Sequence, residues 1–249
     1  MKLSAIVIAL NEQENIDECL ACLRWADEIL VIDGGSQDAT IEKAKQAGAR
    51  VVSKPFIDFA DQRNFAINAA SNPWVLFVDA DERISNALAA EIQTVIRQED
   101  QAVYRIPRVN FFFGRQMRYS GTQNDFQTRL FPKIGVKWDQ PVHEMLVTDL
   151  PRKELKNVML HYSTRDIAHY QQKVACYVPL EVETMKLKGR KAFLPDIVLR
   201  PAAKFIYLYL VRFGFLDGLT GLRFAALSSY YDFKKYSLFQ RLARTGSAV

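Results

Sequence analysis

Residues 3–10 form a near-continuous apolar run, the pattern of a strand buried on both faces. The period then changes: within residues 13–24, Ile16, Leu20 and Leu23 recur at helical spacing. Residues 28–33 predict a second strand ending at Gly34-Gly35, and residues 37–48 predict a helix stopped by Gly48. A third short strand over 50–53, a helix over 59–70, a fourth strand over 74–78 and a helix over 85–98 complete the series. Strands joined by helices of this length predict right-handed βαβ units and a parallel sheet. Ligands of such sheets sit beyond the carboxyl ends of the strands. Asn11-Glu12, Asp33 and the Asp79/Asp81 pair each fall at such an end.

From 102 to 161 the pattern becomes short β runs separated by turns: 103–106, 126–131, 144–147 and 155–161. A mixed or antiparallel extension of the sheet is expected there. A helix follows over 165–188, with Ile167, Tyr170, Val174, Tyr177 and Val178 on one face and a kink expected at Pro179. Ser163 and Asp166 are the expected capping box. Residues 205–211 and 213–231 are rich in aromatics and leucine, broken by Arg212, Asp217 and Arg223. Helices of that kind suit a lipid interface, apolar side down and cations toward anionic headgroups. Packing on the main domain or on another subunit is the other reading.

Charge sharpens the division. Residues 1–100 carry a net −8 and residues 101–249 a net +13. A simple nucleic-acid binder, with basic residues lining one face, is disfavoured by that asymmetry. Three cysteines exclude a disulfide scaffold, and Cys19-x-x-Cys22 lacks the second pair or nearby histidine of a zinc site. Both are expected as small apolar helix residues. No signal peptide and no run of eighteen apolar residues is visible, so the chain is expected on the cytosolic side with no spanning helix.

Asp79-Ala80-Asp81 carries the clearest chemistry. Two close carboxylates past a strand end repel one another, and a bound cation resolves the repulsion. Oxygen ligands of this kind suit Mg²⁺ or Mn²⁺, with water and phosphate oxygens in the remaining positions. The other reading of an Asp-x-Asp is a solvated turn. No G-x-G-x-x-G follows a strand, which excludes a dehydrogenase.

Four strings in order, residues 5–12 (AIVIALNE) with Asn15-Ile16, 32–40 (IDGGSQDAT), 62–66 (QRNFA) and 78–82 (VDADE), resemble the successive motifs of family 2 glycosyltransferases of the GT-A fold. Further strings narrow the likeness: Arg129-Leu-Phe-Pro, Val142-His-Glu144, Leu160-His-Tyr-Ser163, residues 213–218 and Ser229-Tyr-Tyr231. Together they resemble the lipopolysaccharide inner-core β-1,4-glucosyltransferases, which add glucose to a heptose. The resemblance implies a Rossmann-like, largely parallel mixed sheet with helices on both faces over residues 1–195. It is joined to a C-terminal amphipathic, membrane-surface segment over 196–249.

The same resemblance implies a UDP-hexose donor, a lipid-linked oligosaccharide acceptor, a divalent metal, and residence on the cytosolic face of the inner membrane. Leu10, Asn11, Glu12 and Asp33 fall where the base and ribose would lie, with Asp33 accepting from a uracil N–H or serving only as a turn residue. Arg63 reaches a phosphate or the base, or is a surface arginine. Asp79 bonds the ribose or a donor-sugar hydroxyl, and Asp81 holds the metal. His161 is a further metal ligand or a buried histidine, and Arg129 contacts donor phosphates or flanks the acceptor site. Glu144 is the expected base and His143 its orienting partner, giving a single displacement with inversion. A nucleotidyltransferase is disfavoured because the loop after the first strand is acidic and lacks glycine. A non-catalytic scaffold would leave this set of acids without a purpose.

Overall fold

The computed structural model describes residues 1–98, 100–139, 145–191 and 193–245. At its centre lie four parallel strands, β1 (Leu3–Ala9), β2 (Glu28–Asp33), β3 (Arg50–Ser53) and β4 (Trp74–Asp79), in the order β3-β2-β1-β4. Helices α1 (Ile16–Ala21), α2 (Thr40–Gln46), α3 (Phe59–Ala69) and α4 (Asn86–Arg97) accompany them.

Alternation along the strands sorts side chains to two cores. Ala5, Val7, Leu76 and Val78 pack with Ile16 and Leu20 of α1 and with Leu88 and Ile92 of α4. Ile6, Ile32, Val75 and Phe77 pack with Ala66 and Ile67 of α3 and with Phe131 and Trp138. The chain steps from β1 outward to β2 and β3, then returns to β4 on the other side of β1. Strand order reverses there, and the ends of β1 and β4 open side by side.

The remaining strands are β5 (Glu82–Ile84), β6 (Val103–Phe112), β7 (Arg115–Gln116), β8 (Phe126–Pro132), β9 (Lys137–Asp139), β10 (Met145–Val147), β11 (Arg152–Glu154) and β12 (Met159–Thr164). The sheet continues β4-β8-β6-β12-β5, with β8 antiparallel to both β4 and β6 and with β5 antiparallel to β12. The mixed or antiparallel extension expected from 102 onward is therefore present, in more numerous strands, of which only β6 is much longer than expected and four have two or three residues.

Several boundaries differ from expectation for physical reasons. The helix expected over 37–48 begins only at Thr40, because side-chain acceptors take the preceding N–H groups: Asp33 those of Gly35 and Ser36, Asn11 that of Gln37, Asp38 that of Thr40. The helix expected over 13–24 contracts to α1 behind a turn in which the Glu12 carbonyl accepts from Asn15 and Ile16. β5 is too short to register as a periodic signal. The strand expected over 155–161 begins only at Met159, as β12, because Glu91 holds the N–H groups of Lys156 and Asn157 in a turn that separates it from β11.

The chain divides into two compact units, Met1–Val109 with Asn124–His161, and Asn110–Gln123 with Tyr162–Val249. The division expected at 195/196 falls inside the second. That unit contains α5 (Ile167–Leu187), α6 (Asp196–Ile206), a π-helical turn Tyr207–Val211, a 3-10 turn Gly214–Asp217 and α7 (Gly218–Thr245). Val174, Val178 and Val182 of α5 pack on Tyr236, Phe239 and Leu242 of α7. Pro179 lies inside α5. The expected Ser163/Asp166 box does not form: Asp166 itself caps α5 by accepting the His169 N–H, while the Ser163 hydroxyl donates to the Phe111 carbonyl. Glycine is required where the two short turns meet α7, because a Cβ on Gly221 would lie 1.9 Å from the Gly214 carbonyl oxygen.

Candidate active site

Asp33 ends β2 almost fully buried, and its carboxylate accepts the N–H groups of Gly35 (2.9 Å) and Ser36 (3.1 Å). The turn role is thus filled, and a carboxylate with about four acceptor sites keeps capacity for another donor. Opposite it, Asn11 follows β1 in the left-handed region at φ 56°. Its N–H donates to the Ser36 hydroxyl at 2.9 Å and its side-chain oxygen accepts the Gln37 N–H at 2.8 Å. Glu12 donates its N–H to the Thr40 hydroxyl at 2.8 Å, and its carboxylate accepts from the Asn15 amide at 2.7 Å. Leu10 is left exposed at the strand end. The ends of β1 and β2 are therefore stitched into one rigid lip.

Asp79 ends β4 with 37% of its side chain exposed. β8 pairs with β4 through Leu130 and Leu76, which carries Arg129 to the same place. Arg129 grips both Asp79 oxygens, with Nη1 3.2 Å from Oδ1 and Nη2 bonded to Oδ2. Arg63 of α3 approaches Oδ1 at 3.5 Å, its guanidinium lying 5.2 Å from the Phe77 ring and 5.0 Å from the Trp138 ring. Burial opposes charge on Asp79, but Arg129 and Arg63 outweigh it and hold the carboxyl at about 2. Asp79 is an anion at any working pH.

Glu82, fully buried, sits beneath this contact. Its Oε1 receives Arg129 Nη2 at 2.7 Å and Arg108 Nη1 at 3.1 Å, while Oε2 accepts the Asp79 N–H at 2.9 Å. Arg108 continues to Asp125 at 2.8 Å. Three arginines and three acids thus alternate. Arg129 spends its guanidinium on Asp79 and Glu82, beneath the surface on which a ligand would rest.

Asp81 has a different neighbour. Antiparallel pairing of β5 with β12 sets His161 opposite Glu82, and His161 Nε2 lies 3.4 Å from Asp81 Oδ2. Both side chains are mostly buried, Asp81 at 12% and His161 at 15% exposure. Cys19 and Cys22 pack behind β4 and β5, with the Cys19 thiol directed at the Asp79 carbonyl and the Cys22 sulfur accepting the Ile84 N–H. His143 and Glu144 lie outside the described residues.

Residues 4–149 match the sequence signature of Glycosyl transferase family 2. The chain belongs to this family. As a family 2 glycosyltransferase, it is 26% identical over 97% of its length to the lipopolysaccharide core biosynthesis glycosyltransferase LpsC of Rhizobium meliloti, covering 95% of that protein. An uncharacterized glycosyltransferase, RP128 of Rickettsia prowazekii, is 25% identical over 97% of this chain and 88% of its own. Among solved structures, S. aureus TarS (residues 1–349) in complex with UDP aligns over 99% of this chain and 92% of its own, at 16% identity and a TM-score of 0.51. The fold is the expected GT-A glycosyltransferase fold.

Within this glycosyltransferase the two aspartates are not equivalent. Asp79 is neutralised by arginines and is suited to accept hydrogen bonds. Asp81 and His161 form a pair of metal-type donors. Among the described residues no three His, Cys, Asp or Glu side chains converge into a complete metal site. A carboxylate beside an imidazole nonetheless fits Mn²⁺ or Mg²⁺, provided substrate phosphates and water supply the other ligands. Sequence reasoning misses Glu82, Arg108 and Asp125 as members of the site. Glu82 carries a signal, since it directly follows the Asp-x-Asp string, but nothing in the sequence tells a buried acid from an exposed one.

Proposed function

We propose that this glycosyltransferase moves glucose from UDP-glucose onto a heptose of the lipopolysaccharide inner core, with inversion at the transferred carbon. The observation that carries the reading is that Asp33 and Asp79 end the two strands flanking β1, in register with Ala9 and Ile8, with Asp79 held by its arginines and followed by the Asp81–His161 pair. The end-to-end likeness to a lipopolysaccharide core glycosyltransferase supports the acceptor class. The UDP-bound state of TarS, which shares the fold, supports a uridine diphosphate donor.

In this reading the lip of Leu10, Asn11, Glu12 and Asp33 receives the uridine, with Asp33 accepting the ring N–H. Asp79, held as an anion and fixed by Arg129, accepts a ribose or sugar hydroxyl. Arg63 faces the diphosphate from the other side of Asp79. Asp81 and His161 would hold a divalent ion, whose charge would stabilise the departing diphosphate. Glu144, assigned from the sequence alone, takes the proton of the acceptor hydroxyl, and His143 orients it. That oxygen forms its bond to the sugar C1 as the C1–O bond to the diphosphate breaks, and UDP leaves with the bonding pair. Displacement from an α-linked donor yields a β product.

The test is a panel of sugar nucleotides with Mn²⁺ or Mg²⁺ and heptose-terminated lipopolysaccharide acceptors, followed by linkage analysis. A β-glucosyl-heptose product made only from UDP-glucose is expected. Transfer from another sugar nucleotide in preference, or to a non-heptose residue, would replace the substrate assignment.

A further inference from the structure

We infer that the bend between α6 and α7 is a wedge that seats the protein in an anionic lipid surface, entering the boundary between headgroups and acyl chains without crossing the bilayer. Among the described residues no single helix is long and apolar enough to span a membrane. The pair 196–211 and 214–244 reaches that composition only together, and it is bent by 72° at the break. An element that is apolar enough for lipid but broken in the middle suits the interface plane rather than a span.

The wedge has a core side and a free side. Pro201, Leu208, Gly214, Thr220, Gly221 and Ala225 are buried, and the Ser229 hydroxyl donates to the Pro201 carbonyl at 2.7 Å. The conformation is therefore fixed by its own packing. On the free side Leu199, Ile206, Leu210, Phe213, Leu216 and Leu219 are each between 52% and 64% exposed. Soluble surfaces rarely leave so many large apolar side chains exposed along one short stretch of chain, and such a concentration marks an interaction site.

Charge selects the occupant. Residues 196–249 carry eight Lys or Arg against three Asp or Glu. Each of those acids is engaged within the unit: Asp196 with Arg200 at 3.0 Å, Asp232 with Lys235 at 2.9 Å, and Asp217 with the N–H groups of Arg118 and Tyr119 at 3.0 Å. Beyond those pairs, the charged residues interspersed with the exposed apolar residues are cationic: Lys204, Arg212 and Arg223. A second copy meeting this face across a two-fold axis would set one cationic face against another. Anionic headgroups instead complement them, while the acyl layer receives the leucines and phenylalanines. The inference is independent of which donor or acceptor the enzyme uses.

The full chain is to be floated with vesicles of phosphatidylethanolamine and phosphatidylglycerol, and in parallel with phosphatidylcholine alone. Flotation with the anionic vesicles is expected, weakened on phosphatidylcholine. The double substitution Leu210→Glu with Leu216→Glu should lower partitioning by about tenfold or more. Lys204→Glu with Arg223→Glu should remove the preference for anionic lipid. In a separate variant, Leu216→Trp, the emission that the added indole contributes over wild type should be quenched by brominated acyl chains, which decides the matter even if the glutamate variant misfolds. Equal flotation of the wild type and a folded glutamate variant, an added indole that the bromines leave unquenched, or a lipid-free dimer that the glutamates dissolve would each overturn the inference.

Discussion

Glu82 and Arg129 form a buried ion pair, 2.7 Å from Oε1 to Nη2, directly beneath the carboxylate of Asp79. Glu82 also accepts the Asp79 N–H, so one buried acid fixes both the backbone and, through Arg129, the side chain of the residue at the mouth of the site. Two ions taken out of water are held stably when their remaining lone pairs and protons find partners.

Glu82→Gln should therefore be costly. It leaves Arg129 and Arg108 short of a counter-charge in a water-poor interior, and a loss of about 3 kcal/mol is expected. Denaturant unfolding of the purified variant checks it. A change below about 0.5 kcal/mol would mean that water reaches this network and that the pairing is dispensable.

Asp79 gives the site a pH signature. Arg129 and Arg63 hold its carboxyl in the folded chain well below the ordinary value of about 3.9 expected when unfolded. A lowered folded value contributes stability above the unfolded pKa and loses it as pH falls toward the folded one. The stability gap between wild type and Asp79→Asn should hold steady from neutrality to about pH 5, then shrink between about pH 4 and 2. Urea midpoints of both proteins across that range provide the measurement. A gap that does not change with pH would show that Asp79 is not charged by its arginines.

These relationships are unevenly legible in the chain. Strand ends are visible because apolar runs stop abruptly at Leu10, Asp33 and Asp79, and the topology of alternating elements makes those stops converge. Arg129 stands out as a residue of interest, but its partners do not, since β4 and β8 lie about fifty positions apart and nothing local sets their register. The Asp81–His161 contact depends on β5, only three residues long and without a periodic signature. Helix starts shift where side chains of Asn11, Asp33 and Asp38 compete for backbone N–H groups. Propensity along one segment does not contain such competition from another.

The base assignment has its own test. Glu144→Gln should lower kcat by a factor on the order of 100 to 10,000 while leaving UDP affinity intact, because general-base removal acts on the transition state alone. Steady-state kinetics beside calorimetric binding separates the two quantities. Near-normal turnover in the variant would assign the base elsewhere.

In the proposed function Asp81, with His161 beside it, governs metal-dependent capture of the nucleotide diphosphate. Calorimetry of UDP binding with Mn²⁺, to wild type and to Asp81→Ala, tests that role. We expect binding by the wild type that chelation abolishes, and a variant that no longer responds to the metal. Wild-type protein that ignores UDP, or a variant that binds UDP and Mn²⁺ as well as its parent, would remove Asp81 from that role.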